Sequence, residues 1–256
     1  NVLILDGLGG EACAGDVGIQ DGRITEVGSA GPGKEEVDGK GQYLAPGFID
    51  THSHDDGAFF RHPSMEFKLA QGVTTVVAGN CGYSAVPVDP SIDPSRASGG
   101  ILAGLEGSFT DLEGYFDAVL DRNPGINNMM LVGHNTVRTL VMGMAKRAPN
   151  PSELGTMQSH VSKALEQGAC GFSTGLIYRP GRWSDTEEVI ALASAANNFG
   201  ALYTTHMRNE GDHLIEAVDE ALRIGRESDV HLHISHHKSA GPANWGKVSD
   251  SLAKID

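Results

Sequence analysis

Several histidines and one cysteine that follow short apolar runs are the side chains of this sequence best suited to metal chemistry. His52 and His54 are separated by one residue, Cys81 lies in a glycine-flanked segment, and His206 and His236 each follow a later apolar run. In extended chain, residues i and i+2 project from the same face, so His52 and His54 can bind one ion together. Imidazole nitrogen and thiolate sulfur are ligands that zinc prefers. The pattern predicts a metal centre formed by these five side chains, and zinc is an ion that suits them.

The other histidines have simpler interpretations. Strand alternation places His231 and His233 on one face and His236 on the opposite one, so we predict His236 as the ligand and keep His237 as the alternative. His134 follows a further apolar run, and we expect it to orient other groups or to be structural. A buried histidine that only completes a hydrogen-bond network is the common alternative to a ligand.

The residues around the predicted ligands also allow more than one interpretation. A free cysteine such as Cys81 is commonly a small buried hydrophobe, but the glycines beside it let backbone approach a ligand closely. Asp55 and Asp56 directly follow His54. They could accept a hydrogen bond from the second nitrogen of an imidazole, or simply cap a helix or form a solvated turn.

The elements that must position these residues fall into two regions. Residues 1–45 contain three short β-type runs, and the Asp21-Gly22 pair between two of them predicts a hairpin in a small antiparallel β unit. Residues 46–256 alternate strand-like and helix-like segments in six β-α units. The strand-like segments are Phe48–Thr51, Val73–Ala78, Met129–Val132, Cys170–Ser173, Leu202–Thr205 and Val230–Ser235, and the helix-like ones lie near 64–71, 109–121, after Pro151, after Ser184, at 211–227 and at 244–254.

Two short sequence patterns in this region predict where a helix begins and where a long connection lies. Ser184 and Glu187 have the spacing of a capping box, which predicts that a helix begins just after Ser184. A stretch rich in Pro, Ser and Gly, from Pro87 to Gly107, predicts a long connection without regular structure.

Successive β-α units imply an α/β fold with a parallel sheet and right-handed crossovers. A (β/α)8 barrel cut short and an open doubly wound sheet both satisfy this pattern, and periodicity does not choose between them. The predicted ligands recur at the carboxyl ends of successive strands, which is the face that carries the active site in α/β barrels. The sequence ends at Asp256 inside a helix-like segment, so we expect an incomplete barrel of about six units.

Composition excludes some classes of partner. The formal net charge of -14 argues against nucleic acid and against an anionic membrane surface. No apolar run approaches the roughly 20 residues of a membrane-spanning helix. The three cysteines show no paired spacing that would indicate a disulfide framework, which favours a reducing, cytoplasmic environment.

Six segments together resemble a known family. The run APGFIDTHSHDD at 45–56 is similar to the first-strand signature of the amidohydrolase superfamily. A narrower resemblance is to the D-aminoacylases, the N-acyl-D-amino-acid deacylases. It rests on GVTTVV at 72–77, GNCG at 79–82, GFSTGLIY at 171–178, THMR at 205–208 and ISHHK at 234–238. It covers nearly the whole chain and corresponds to roughly the N-terminal half of such a protein.

The resemblance implies a (β/α)8 barrel, a small β-sandwich built from both chain ends, and zinc. It implies a tight site formed by Cys81, His206 and His236, with Cys81 in place of the carboxylated lysine that bridges two metals in other amidohydrolases. His52 and His54 would form a weaker second site.

The resemblance also assigns the residues that act on the substrate. Tyr178 and Lys238 match positions that contact the substrate's carbonyl or carboxylate. The family's catalytic aspartate follows the eighth barrel strand and would lie beyond Asp256. Arg179 departs from the family pattern, which has a small or apolar residue before the Pro180-Gly181 turn.

The resulting hypothesis is zinc-dependent hydrolysis of a small-molecule N-acyl-D-amino acid to a carboxylate and a free D-amino acid. One alternative is a cyclic-amide hydrolase of the hydantoinase type, which would be expected to carry a lysine at the position of Cys81. The other is a zinc-binding fragment without turnover, since the general base would lie outside these residues.

Overall fold

The computed structural model describes residues 1–89, 102, 105 and 109–256. The predicted connection from Pro87 to Gly107 therefore lies mostly outside the described residues. Two compact units divide the chain, Asn1–Phe48 and Ile49–Asp256. Among the described residues, no helix combines the length and the apolarity needed to cross a membrane.

The first unit contains a four-stranded sheet in the order β3-β2-β1-β4, formed by β1 (Val2–Ile4), β2 (Cys13–Gln20), β3 (Arg23–Gly28) and β4 (Tyr43–Leu44). β2 and β3 form the predicted hairpin. Asp21 and Gly22 both have positive φ, at 51° and 72°, as a tight two-residue hairpin turn requires. One pairing differs from the antiparallel prediction: β4 pairs with β1 in parallel, through Tyr43 and Leu44.

The second unit contains a six-stranded sheet. Its strands are β5 (Phe48–Asp50), β6 (Val73–Ala78), β7 (Asn127–Gly133), β8 (Gly171–Gly175), β9 (Leu202–His206) and β10 (His231–Ile234). The strands from β6 to β10 pair in parallel, as predicted. The order is β10-β9-β8-β7-β6-β5, so each strand lies beside its neighbour in sequence. A doubly wound sheet reverses its order at a switch point, whereas a barrel does not. The α/β class is confirmed, and the order favours the incomplete barrel.

Helices follow the strands of this sheet. They are α1 (Ala58–Arg61), α2 (Glu66–Leu69), α3 (Leu112–Leu120), α4 (His134–Met142), α5 (Pro151–Glu166), α6 (Thr186–Asn197), α7 (Leu214–Ser228) and α8 (Lys247–Ile255). The sequence reading missed α4, which begins directly at the end of β7. Its apolar residues Val137 and Val141 pack into the main core cluster, together with Val132 and Phe172 of the sheet. Tertiary packing therefore stabilises a helix that has little sequence signal of its own.

The capping-box prediction was wrong by one residue. Asp185 is the N-cap of α6, and its side chain accepts a hydrogen bond from the Glu188 amide at 2.8 Å. The Ser184 hydroxyl instead donates to the Gly181 carbonyl oxygen at 2.6 Å. Asp and Ser are both good N-caps, so the local pattern alone did not identify which of the adjacent pair would act.

Candidate metal centre

Cys81 lies in a tight loop directly after β6. Its φ is 54°, and the flanking Gly79 and Gly82 have φ of 76° and 79°. A Cβ on Gly79 would come within 2.1 Å of the Leu131 carbonyl oxygen, so only glycine allows this close approach. A positive φ at a non-glycine residue costs about 1–3 kcal/mol and persists only where the surroundings enforce it.

Small residues on β8 make room for this loop. Gly171, Ser173 and Gly175 share one face of the strand, and a Cβ on Gly175 would lie 2.1 Å from the Cys81 carbonyl oxygen. The Ser173 hydroxyl accepts from the Gly82 amide at 3.1 Å and donates to the Gly79 carbonyl oxygen. The alternation of small and large residues in β8 therefore positions the Cys81 loop from one side.

Asp56 holds the same loop from the other side. Its carboxylate is fully buried and accepts from the Gly79 amide at 3.3 Å and from the Ala85 amide at 2.9 Å. Burial raises the pKa of Asp56 to about 6, although these two amides favour the charged form. Asp55 pairs with Lys68 at 2.9 Å. The hydrogen bonds and ion pairs of Asp55 and Asp56 therefore do not support the possibility that these residues orient an imidazole.

Three imidazole nitrogens surround the Cys81 sulfur. The Sγ atom lies 3.4 Å from His52 Nε2, 3.6 Å from His206 Nδ1 and 3.6 Å from His236 Nε2. A tetrahedral zinc ion with ordinary Zn–S and Zn–N bonds separates its sulfur and nitrogen ligands by about 3.6 Å. The spacing of these donor atoms therefore fits zinc.

The donor atoms form two overlapping groups. Cys81, His206 and His236 make one, and His52, His54 and Cys81 make the other, with the ligand atoms of each group within 4.8 Å of one another. Cys81 belongs to both, as a bridging thiolate would. Cys81 and His206 are buried, His52 is half-buried, and His54 and His236 are exposed. The structure thus brings together all five of the predicted ligands.

Burial adjusts the protonation of these groups. Desolvation of the ring lowers the pKa of His52 to about 4, helped by the neighbouring histidines. Desolvation of the rings also lowers the pKa of His54 and of His236, although each residue as a whole is exposed. These imidazoles are therefore neutral near pH 7, which is the form that binds metals. Burial also raises the pKa of the Cys81 thiol to about 12. A metal bound here would have to displace that proton.

Glu210 lies behind two of the histidines, and sequence reasoning did not identify it as a site residue. Its Oε1 atom is 3.0 Å from His236 Nδ1, 2.6 Å from Lys238 Nζ and 3.5 Å from His206 Nε2. Its position four residues after His206 was a weak signal, because the contact with His236 depends on the pairing of β9 with β10.

The two predicted substrate contacts lie beside the cluster. The Tyr178 ring centroid is 4.7 Å from that of His206. The Lys238 amine is 3.1 Å from His236 Nδ1, and its side chain is 50% exposed. Arg179 is exposed and lies over the Trp183 ring at 5.8 Å, and its carbonyl oxygen accepts from the Tyr83 hydroxyl at 2.6 Å.

Two other histidines are placed away from the sulfur. His134 is fully buried, and its Nε2 meets Glu188 Oε1 at 2.8 Å beside Arg138. Of the two roles predicted for His134, these contacts fit the structural one. The alternative ligand His237 instead faces the Ser251 hydroxyl of α8 at 2.9 Å.

Comparison with known proteins places this chain beside characterised deacylases. Residues 35–252 match the sequence profile of the amidohydrolase family. The chain is 44% identical over 255 residues to an N-acyl-D-glutamate deacylase of Alcaligenes xylosoxydans xylosoxydans, covering 99% of this chain and 52% of that protein. It is 40% identical over 256 residues to an N-acyl-D-aspartate deacylase of the same organism, covering 98% and 51%.

Solved structures agree with these sequence matches. An N-acyl-D-glutamate deacylase from Bordetella bronchiseptica, complexed with zinc and a phosphonate inhibitor, superposes with a TM-score of 0.91 at 42% identity, covering 99% of this chain and 53% of that one. A D-aminoacylase superposes with a TM-score of 0.87 at 37% identity, covering 98% and 53%. The chain thus spans about half the length of the relatives it matches.

Proposed function

The chain belongs to the amidohydrolase family, and from that premise we propose that its cysteine–histidine cluster is the zinc centre of an N-acyl-D-amino-acid deacylase. The reaction would cleave a linear amide and release a carboxylate and a free D-amino acid. The observation that carries the proposal is the set of sulfur–nitrogen distances of 3.4 to 3.6 Å around Cys81. They match the donor spacing of tetrahedral zinc, and the relatives named above are deacylases.

The proposed ligand sets differ in strength. Cys81, His206 and His236 form the tight site, since Cys81 and His206 are buried and Glu210 Oε1 lies 3.0 Å from the outer nitrogen of His236. His52 and His54 form a weaker second site that shares Cys81, because Cys81 is the one buried ligand of that group, whereas the first group has two. When bound, zinc would supply an activated water and polarise the acyl carbonyl.

The chain's own residues would bind and orient the substrate. Tyr178, beside His206, would donate a hydrogen bond to the acyl carbonyl oxygen. Lys238 would pair with the substrate carboxylate, because its half-exposed amine lies next to the cluster. The proton transfer to the leaving amine needs a carboxylate that the family resemblance places after Asp256. The activity is therefore proposed for the full-length gene product.

The substrate class is an N-acyl-D-amino acid. Relatives at 44% and 40% identity are named for D-glutamate and D-aspartate derivatives, so the acetyl derivatives of these two are the first substrates to test. Acetyl-D-leucine tests for an apolar side chain, and hydantoin tests for the cyclic-amide alternative.

The experiment uses the zinc-loaded full-length protein and two variants. It measures free amine released from the acyl-D-amino acids and, separately, the consumption of hydantoin, because opening the hydantoin ring releases no amine. Cys81→Ala should reduce hydrolysis of acetyl-D-amino acids to background. Cys170→Ala is the matched control, because Cys170 is a second, partly buried free thiol, and its Sγ donates to the Met130 carbonyl oxygen at 3.3 Å. That control should keep full activity. Hydrolysis of hydantoin without hydrolysis of any acyl-D-amino acid would overturn the proposal, as would full activity in Cys81→Ala.

A further inference from the structure

Glu210 brings three nitrogens from two neighbouring strand ends to one carboxylate oxygen. The nitrogens are His206 Nε2, His236 Nδ1 and Lys238 Nζ, at 3.5, 3.0 and 2.6 Å from Oε1. The Glu210 side chain is only 8% exposed. A buried carboxylate placed this way is stable only if the donors around it are held in position.

The backbone of Glu210 reinforces the arrangement. Its carbonyl oxygen accepts a hydrogen bond from the Ala240 amide at 2.6 Å. This bond joins the segment that follows β9 to the segment that follows β10. The side chain and the main chain of one residue therefore connect the two loops that carry His206, His236 and Lys238.

The two ring nitrogens of His236 face different partners, and this indicates which nitrogen carries the proton. Its Nε2 faces the Cys81 sulfur at 3.6 Å, and its Nδ1 faces Glu210. A neutral imidazole has one N–H and one lone pair, so a proton on Nδ1 that Glu210 accepts leaves the Nε2 lone pair directed towards Cys81. The Lys238 amine also lies 3.1 Å from Nδ1. A donation from Lys238 to Nδ1 would place the proton on Nε2 and block metal binding there.

His206 shows the same division with the nitrogens exchanged. Its Nδ1 faces the sulfur at 3.6 Å, and its Nε2 lies 3.5 Å from Glu210. That buried Nε2 has no hydrogen-bond partner among the described residues, because 3.5 Å is too long for good geometry. Glu210 is the carboxylate aimed at it.

We infer that Glu210 is a positioning residue that selects the metal-binding tautomer of His236, orients His206, and holds Lys238 at the edge of the same site. The inference deepens the proposed function and rests on the zinc centre. Outer carboxylates of this kind typically affect metal affinity by 10- to 100-fold. Glu210 also joins metal binding to substrate binding, because one oxygen serves both histidines and the lysine.

The test is the zinc affinity of this chain, measured by competition with a chromophoric chelator. Glu210→Gln should weaken zinc binding by about 10- to 100-fold. The matched control is Glu216→Gln, because Glu216 also pairs with a histidine, His213 at 3.4 Å, but on the surface. That control should bind zinc as the unsubstituted chain does. Lys238→Met should change the affinity by less than about twofold, since it leaves the histidine–carboxylate contacts intact.

The outcomes separate this inference from the proposal it rests on. If the unsubstituted chain binds no zinc, the zinc centre itself is wrong. If the chain binds zinc and Glu210→Gln binds it equally well, the positioning role is wrong. An equal loss in Lys238→Met would also overturn it, because the ion pair alone would then explain the effect.

A second variant and a spectrum guard against simple misfolding. Glu210→Asp keeps the charge but withdraws it by one methylene, so its zinc affinity should fall between that of the unsubstituted chain and that of Glu210→Gln. The cobalt-substituted forms should show an altered ligand-field spectrum in Glu210→Gln and an unaltered one in Glu216→Gln. An unaltered spectrum in Glu210→Gln would count against any change in ligand orientation. If Glu210→Gln does not fold, the affinity of Glu210→Asp decides the question.

Discussion

At the residue scale, the two ligand groups should respond differently to substitution. His236→Ala removes a ligand of the tight site and should weaken zinc binding by more than the ~100-fold that loss of an outer carboxylate can cause. His54→Ala should have an effect of less than about tenfold on the first zinc bound, because His54 belongs only to the second group, in which Cys81 is the one buried ligand. Chelator competition measures both. A larger effect for His54→Ala would reverse the assignment of tight and weak sites.

The five predicted ligands could be selected from the sequence, and the structure brings them together. His52, His54, Cys81, His206 and His236 each follow an apolar run, and strand ends in a parallel sheet converge on one edge. Glu210 could not be selected in the same way. Its contacts with His236 and Lys238 span 26 and 28 residues and depend on the pairing of β9 with β10. A pattern in one segment carries no information about such contacts.

At the scale of elements, the alternation of strands and helices was predicted closely, but their connections were not. The six predicted strands of the large sheet agree with the observed ones to within a few residues at each end. The helix α4 was missed because packing against the core, rather than local propensity, stabilises it. The turn at Cys81 needs glycine at 79 and 82, small residues on β8 and the buried Asp56 together, and no single segment of sequence shows that combination.

The loop that carries Cys81 should depend on Asp56. Asp56→Ala leaves the buried amides of Gly79 and Ala85 without their acceptor, and each such loss costs about 1–3 kcal/mol. We expect the free energy of unfolding in urea to fall by about 2–6 kcal/mol, with weaker zinc binding. Asp117→Ala, at an exposed position on α3, is the control and should change stability by less than about 0.5 kcal/mol. Equal stabilities of the two variants would contradict this role.

The helices α4 and α6 are joined by a buried ionic network. Arg138 Nη1 lies 2.6 Å from Glu188 Oε2, and both side chains are fully buried. Burial by itself raises the pKa of Glu188, but the hydrogen bond from His134 and the charges of His134 and Arg138 outweigh it and lower that pKa below 4.5. Because the folded-state pKa is depressed, the stabilisation is present above about pH 4.5 and is lost as the pH falls through the lower folded-state value.

Glu188→Gln should therefore destabilise the fold and make its free energy of unfolding less dependent on pH in the acid range. Removing one partner leaves Arg138 buried and unpaired, which costs about 3–5 kcal/mol at pH 7. Urea unfolding between pH 7 and pH 3.5 should show a smaller loss of stability with acid than in the unsubstituted chain. Glu187→Gln, at a 69% exposed position on the same helix, is the control and should cost no more than about 1 kcal/mol. An acid response in Glu188→Gln as steep as in the unsubstituted chain would contradict the linkage.

At the scale of the whole molecule, the strand order distinguishes between two folds that the sequence periodicity could not separate. A barrel and a doubly wound sheet share the same β-α alternation, so the sequence pattern left both open. The order from β5 to β10, without a reversal, resolves them, and the similarity to deacylase structures agrees. The small sheet of the first unit was predicted from its turns, but the parallel pairing of β4 with β1 was not, because it joins segments about 40 residues apart.

The strand β10 is an edge of the six-stranded sheet, with β9 as its one neighbour among the described strands. Edge strands present unpaired backbone groups and promote association. We expect this 256-residue chain to self-associate as its concentration is raised, measured by light scattering coupled to size-exclusion chromatography. A chain of this length that stays monomeric at every concentration would contradict the expectation.

Cobalt substitution is the most direct measurement of the central claim, that Cys81 and the surrounding histidines bind zinc. The cobalt-loaded chain should show a thiolate-to-cobalt charge-transfer band in the near ultraviolet, and excess zinc should abolish it. The band should be absent in Cys81→Ala and retained in Cys170→Ala. A chain that binds neither metal, or a band of equal intensity in Cys81→Ala, would contradict the account.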